Sequence, residues 1–362
     1  MNMYSNFGSK KPGDPAARLV RYRLLSIAGA ALLGLVSASW TPHPAHAQQE
    51  RKVSILISPA GSGPYEAFAV MQTRASENHP WLRPIAVETP GFNYNVKYFA
   101  ENPGLWQNSV IGSGSVLEWA AKTGLKPYYP EPLKAAADYR IIGVMALTGI
   151  VFVTTDPKIQ KFEDFAGKRV ATGLISQNEW GMYPRMILEG TGMLKKLKSL
   201  NMLGTDPNVE ALLDGRADVA TIVMFSSDGF KHTIQPSPFK LLEASNRPFR
   251  YISIPPSVIE EYNKKTGANF HVRRYPPNTL PNQPEEVTTF GNYLLLTAHK
   301  SFPGDLAYEL TKLWVKMGPV VAQYNAMGKI WTPESISAAA RLTPEAVHPG
   351  AMRAYKELGL GK

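Results

Sequence analysis

The sequence predicts an α/β fold of two lobes, with the second lobe inserted into the first. Short β-branched runs alternate with helical stretches at the spacing of strand–loop–helix units, which implies a mostly parallel sheet with crossover helices. The alternation stops and starts again near Tyr139, giving a second set of units. Of the 362 residues, 44% are hydrophobic and 19% charged. That is enough apolar content to build a core, and too much for a disordered chain.

Ahead of the first unit, Lys10, Lys11, Arg18, Arg21 and Arg23 form a basic segment, followed by the apolar run 24–38 (LLSIAGAALLGLVSA). Pro42 and Pro44 break any helix there, and Ala45-His46-Ala47 supplies a small-x-small cleavage site. Basic, then apolar, then A-x-A describes a cleavable export signal over residues 1–47. A spanning helix needs ~20 apolar residues, more than this run has. Without the signal the formal charge of +10 falls to +6, spread thinly along the chain. No basic stripe with interleaved aromatics appears, so no nucleic-acid partner is expected. The absence of cysteine excludes disulfide frameworks, thiolate metal sites and thiol nucleophiles.

The units follow in order. Residues 53–58 (VSILIS) read as a strand, Pro59 to Gly63 as a turn, and 64–78 as a helix with Pro64 in its first turn. Strand 84–88, loop 89–94 and helix 95–101 come next, then strand 109–111 ending in Gly112-Ser113-Gly114. The second set has strands 140–145, 149–154, 169–172 and 218–224, with helices at 162–166, 179–189 and 208–214. Gly215 closes the last of these helices, a position suited to positive φ. From 254 to 283 the chain is rich in Pro, Asn and Thr and reads as loop. Strand 293–298 and a long helix over 303–317 follow, with Leu306, Leu310, Leu313, Trp314 and Met317 as its core stripe. In open α/β sheets ligands sit beyond the carboxyl ends of strands, here the loops after Ser58, Glu88, Ile111, Thr172 and Met224.

Four segments carry a family resemblance. FEDFAGKRVATG (162–173) and VEALLDGRADVATIV (209–223) resemble segments of bacterial solute-binding proteins of the type II periplasmic-binding-protein fold. YPPNTLPNQPEEVTTFG (275–291) and HPGAMRAYKELGL (348–360) resemble two blocks of the TAXI family, the solute receptors of TRAP transporters. The resemblance implies a periplasmic receptor, not an enzyme, with no cofactor. Two lobes would be joined by a hinge, lobe I from 48–146 plus 241–362 and lobe II from 147–240. They would close on a small organic solute (an amino acid, organic acid or amine) and deliver it to a TRAP membrane subunit. Closing strands are expected near 141–151 and 240–254. A receptor for an ABC importer or a sensory system would share the fold, so the fold alone does not separate these readings.

The family's ligand loops map onto five segments. The Gly-rich first loop corresponds to Gly61, Ser62 and Gly63, with Tyr65 as an aromatic wall; such a turn at a helix N-terminus suits carboxylates or phosphates, though it is also an ordinary tight turn. The second loop holds Thr89, Phe92, Asn93 and Asn95, with Phe92 where the family has serine. The third offers Ser113 and Ser115. The fourth replaces bare glycines with Ser176, Gln177, Asn178, Glu179 and Trp180. Ser176 and Glu179 have the spacing of a capping box; alternatively Glu179 points inward and repels an anion. The fifth loop adds Phe225, Ser226 and Asp228. None of these is basic, and a carboxylate is often gripped by a bidentate arginine, so the loops predict a neutral or zwitterionic ligand. Tyr65, Phe92, Tyr94 and Trp180 could stack on its apolar or cationic part. Enzyme motifs are missing: the sequence has no HExxH, no G-x-S-x-G elbow, and no lysine after Gly61-Ser62-Gly63 to make a P-loop.

Overall fold

The computed structural model describes residues 49–361, so the expected export segment lies outside it. Strand β1 (Arg51–Leu56) pairs in parallel with β2 (Leu82–Val87) and β3 (Ser109–Gly114) through the crossovers α1 (Gly63–Asn78) and α2 (Phe92–Glu101). α1 starts with proline in its first turn and buries Ala67, Phe68, Met71 and Ala75, a single helical face. α2 starts at Phe92, earlier than residue 95. Gly91 adopts φ +133, and Phe92 is buried with its ring so close to Gly112 that a Cβ there would sit 2.6 Å from it. α3 (Ser115–Thr123) follows β3 without a loop.

The expected strands 140–145 and 149–154 are one strand, β4 (Tyr139–Thr154), 16 residues long and buried almost throughout. At ~3.3 Å per residue it runs roughly 50 Å. Burial on both faces explains its near-continuous apolar sequence. Beyond it lie β5 (Arg169–Thr172), α4 (Tyr183–Gly190), β6 (Ser199–Met202), α5 (Thr205–Leu213) and β7 (Val219–Ser226). Then come β8 (Thr233–Ile234), α6 (Ser237–Ala244) and β9 (Arg250–Ile252). The stretch read as loop contains α7 (Pro256–Thr266) and β10 (His271–Tyr275). Its punctuation was visible: Pro256 opens α7 and Gly267, at φ +79, closes it. The chain ends with β11 (Val287–Gly291), β12 (Tyr293–His299), α8 (Gly304–Val321), several short turns and a helix at Pro349–Glu357.

The strand order is β2-β1-β3-β12-β4-β7-β5-β6. The sheet is mixed rather than mostly parallel. Two parallel triplets, β2-β1-β3 and β7-β5-β6, are joined by β12 and β4, which pair antiparallel to each other and to the triplet beside them. β4 changes partner at its middle: Leu147 faces Tyr293 of β12 on one side and Ser226 of β7 on the other. β9 and β11 pair with the C-terminal half of β4, and β10 pairs with β11.

The two segments with the more specific resemblance have structural work to do. In 275–291, Gln283 donates to the Tyr275 carbonyl at 2.8 Å and accepts from the Leu280 amide at 2.8 Å, stapling a loop in which Asn278 and Asn282 take positive φ. In 348–360, His348 accepts from the Gly350 amide at 3.2 Å, and its other ring nitrogen meets the Phe302 carbonyl at 3.0 Å. α8 runs past Met317 and through Pro319, burying Trp314 against Phe68 and Trp331 at ring separations of 5.6 and 5.4 Å. The described residues form one compact unit, and none of their helices is long and apolar enough to cross a membrane.

Candidate functional site

At the ends of β1, β2 and β3 most of the expected ligand residues are engaged within the protein. Ser62 Oγ lies 2.6 Å from Ser58 Oγ and donates to the Pro59 carbonyl at 2.6 Å. Gly63 is exposed at the start of α1, and Tyr65 packs half-buried on the main core. Asn95 is fully buried, and its amide donates to the carbonyls of Leu56, Ile57 and Gly112 at 2.7 to 3.1 Å, tying β1 to β3. Asn93 accepts from the Tyr129 hydroxyl at 2.8 Å. Thr89 is buried with its hydroxyl unpartnered. Ser113 is fully buried: it donates to Glu118 at 2.6 Å and lies 2.8 Å from the Thr297 hydroxyl. Burial pushes the Glu118 carboxyl up, with the two hydroxyls working against that rise.

A second polar group gathers where β4 changes partners. Thr148 Oγ1 accepts from the backbone amide and the side-chain amide of Asn292 at 3.1 and 2.8 Å. The Asn292 side-chain amide reaches Glu179 at 3.4 Å, and Glu179 accepts from Asn178 at 2.8 Å. Asn178 in turn approaches the Tyr183 hydroxyl at 3.4 Å. Every member of this chain is buried. Burial pushes the Glu179 carboxyl up to about 7, against hydrogen bonds from its own backbone and Asn292.

The capping box does not form. Ser176 is exposed, and the expected helix 179–189 begins as a wide π turn over Asn178–Met182 that has no side-chain cap. Gly181 and Met182 both donate to the Gln177 carbonyl, at 2.8 and 3.3 Å. Gln177 fixes the turn by accepting from the Leu174 amide at 2.9 Å and donating to Thr205 at 3.2 Å. The widened turn carries Glu179 inward. Trp180 is half-buried, and its carbonyl accepts from the Gly173 amide at 2.8 Å.

Ser115 flanks the same region, accepting from the Tyr293 amide at 3.3 Å. Phe225 pairs with Thr148 across the ladder, and Ser226 donates to the Leu147 carbonyl at 3.2 Å. Asp228 is neutralised elsewhere: it pairs with Arg341 at 2.6 Å, and its amide donates to Ser335 at 2.8 Å. Of the two acids singled out from sequence, only Glu179 therefore belongs to this cluster.

The five loops omit one residue that belongs here. Arg273 on β10 is 9% exposed and donates from Nε to the Thr148 carbonyl at 3.3 Å. Its guanidinium carbon lies 5.1 Å from the Tyr293 ring centroid. No carboxylate among the described residues pairs with it. His271, two residues earlier on the same face of β10, packs on Tyr293 at 4.4 Å, and burial, aided by Arg273, pushes its imidazole down to about 4. Among the described residues no group of three His, Asp or Glu side chains could hold a metal ion.

The profile of the NMT1-like family matches residues 87–359, from the end of β2 to the C-terminal helix. The chain belongs to that family. The match takes in the whole of the NMT1-like chain's β4 cluster, from Thr148 to Asn292. No curated protein matches it. Among solved structures it is similar to a TctC solute-binding protein from Polaromonas, at 13% identity and TM-score 0.46 over 80% of this chain and 88% of that one. It is also similar to MatC from Rhodopseudomonas palustris with bound malate, at 13% identity and TM-score 0.45 over 85% and 97%. A third similar structure comes from work on glutathione import in Streptococcus mutans, at 11% identity and TM-score 0.43 over 80% and 97%.

Proposed function

We propose that this chain is an extracytoplasmic solute receptor of the TAXI type, exported by its first 47 residues, which captures a small polar organic solute by lobe closure and hands it to a TRAP membrane subunit. The observation that carries this reading is the buried polar chain Thr148–Asn292–Glu179–Asn178. It sits where the sheet passes from one parallel triplet to the other. A polar cluster costs stability unless its hydrogen bonds are completed, and a strand crossing between two halves is where a hinge would bend.

In this reading the lobes divide at the middle of β4. Because β9, β10 and β11 ride with the C-terminal half of β4, residues 250–291 join lobe II instead of lobe I. The mature protein should begin at Gln48, which mass spectrometry of its N-terminal peptide checks. A thermal-shift screen of amino acids, organic acids and amines should find a ligand; at 100 times its dissociation constant it adds ~2.7 kcal/mol. The radius of gyration from X-ray scattering should fall on addition of that ligand. Superimposable scattering curves with the site saturated would sink the closure mechanism.

A further inference from the structure

Outside the export segment, nearly all of the net charge stands at one end of the fold. The second parallel triplet and the half of β4 beside it end together: Thr154 pairs with Arg250, Val153 with Ala220, Val170 with Val219 and Arg169 with Ser199. The loops at that end are 155–169, 195–198, 213–218 and 245–250. They are tied to one another: the Lys198 amide donates to the Lys168 carbonyl at 2.9 Å, and Arg247 donates to the Leu213 carbonyl. Together they hold ten basic and five acidic residues, so +5 of the +6 carried without the export segment sits here. Charge that is spread along the sequence is gathered in space by the strand register. Most of the acids are engaged within the group. Asp218 pairs with Arg169 at 2.6 Å, Asp214 with Arg216 at 3.0 Å and Asp156 with Lys168 at 3.4 Å. Asp164 accepts from the Gln160 and Lys161 amides at 2.9 and 3.1 Å, which leaves Glu163. Lys158, Lys161, Lys195, Lys196, Lys198, Arg247 and Arg250 are exposed, and none pairs with a carboxylate among the described residues. Arg247 and Arg250 flank a recess of about 470 Å³. None of the exposed large apolar side chains among the described residues lies in these loops.

We infer that this end of the sheet is a peripheral membrane-contact surface, binding the phosphates of an anionic phospholipid bilayer. Five of the seven free cations are lysines, a residue depleted from protein–protein interfaces but effective as a point charge against phosphate. With no apolar side chain to insert, attachment is electrostatic and reversible, each basic group near the surface contributing about fivefold in affinity. The surface lies at the amino ends of β5, β6 and β7. Glu179 and Asn292 gather beside Thr148, which pairs with Phe225 near the carboxyl end of β7, roughly 25 Å away along that strand. Lipid contact therefore leaves the candidate site free. The inference goes beyond the receptor reading and does not depend on it.

The test is co-sedimentation of the chain from Gln48 with two kinds of vesicle at low ionic strength, phosphatidylglycerol and phosphatidylcholine in equal parts, and phosphatidylcholine alone. The chain should bind the anionic vesicles only, and release them in ~1 M salt, where the screening length is ~3 Å. Lys158→Gln, Lys195→Gln, Lys196→Gln and Lys198→Gln made together should weaken binding by about 100-fold or more. Lys52→Gln, Lys134→Gln, Lys265→Gln and Lys329→Gln, also on exposed side chains, make the same change in net charge elsewhere. That second variant should stay within about fivefold of the parent. Urea midpoints of both variants should match the parent's, because the replaced side chains are on the surface. Failure to bind the anionic vesicles, or equal binding to both kinds, would overturn the inference. Equal losses in the two variants would do the same, since net charge alone would then be responsible. Competition by soluble glycerol phosphate would reduce the surface to a small-anion site in the recess. Tighter binding to poly-glutamate than to the vesicles would assign it to an acidic protein, and either result overturns the membrane contact. No solute enters this experiment, so its failure leaves the receptor reading untouched.

Discussion

Glu179→Gln removes a fall in stability that the parent protein shows between about pH 4.5 and 7. The folded carboxyl titrates near 7 and the unfolded one near 4.5. Between those values the folded state keeps a proton that the unfolded chain has released. Raising the pH therefore draws the equilibrium toward the unfolded chain. The contribution is fully present below about pH 4.5 and is lost as pH rises through 7. At ~1.4 kcal/mol per tenfold in proton affinity, the gap amounts to about 3 kcal/mol.

Urea midpoints of parent and variant from pH 4 to 8 measure it. The difference between the two proteins should move by about 3 kcal/mol in favour of the glutamine as pH rises. Glu118 is also pushed up and His271 pushed down by burial, but both remain in the two proteins and cancel in the difference. A constant offset, from the amide meeting Asn178 less well than the carboxylate does, cancels too. Curves that stay parallel across the range would mean that Glu179 is solvated, and so does not sit in the buried cluster.

The strands and helices that alternate in hydrophobicity were legible from sequence because each depends on its own residues: β1, β5, β12, α1 with Pro64, and the α8 stripe. Elements defined by neighbours were not. β4 reads as two strands because Leu147 and Thr148 carry no local signal for continuity; what makes it one is pairing to β12 and β7 at once. α7 and β10 hide in a Pro- and Asn-rich stretch whose buried positions, Ile259, Tyr262, Arg273 and Tyr275, find their burial only against distant segments. The ligand loops taken from the resemblance reached Glu179 and Ser115 but also Asn95, whose hydrogen bonds tie β1 to β3, and Ser113, whose hydrogen bonds go to Glu118 on α3 and Thr297 on β12. Spacing alone also allowed two fates for Glu179, cap or interior. The π turn, set by Gln177 and by Gly181 packed on Leu174, decides between them.

Gly291→Ala should cost about 3 kcal/mol or more, the upper end of what overpacking does, and lower the thermal midpoint by about 4 °C or more. Gly291 ends β11 where its backbone presses on β4. A Cβ there would overlap the Thr148 carbonyl oxygen and stand 2.7 Å from the Thr148 carbonyl carbon. It would also lie 3.2 Å from Arg273 Cγ. Neither contact can be relieved by rotating a flexible tip, because the first is backbone against backbone. Nor can Thr148 retreat freely: its hydroxyl holds both amides of Asn292, and its carbonyl holds Arg273. Moving it breaks the links to Glu179 and to the guanidinium together. Gly104→Ala is the matched control, since a Cβ there meets nothing within 4 Å, and it should stay within about 0.5 kcal/mol of the parent. Urea denaturation of the three proteins separates the outcomes. If Gly291→Ala unfolds at the parent's midpoint, β11 does not approach β4 this closely, and the contact that brings Arg273, Asn292 and Glu179 to one place is absent. A large loss at Gly291 alone ties the stability of the sheet crossing to the same few ångströms that assemble the candidate site.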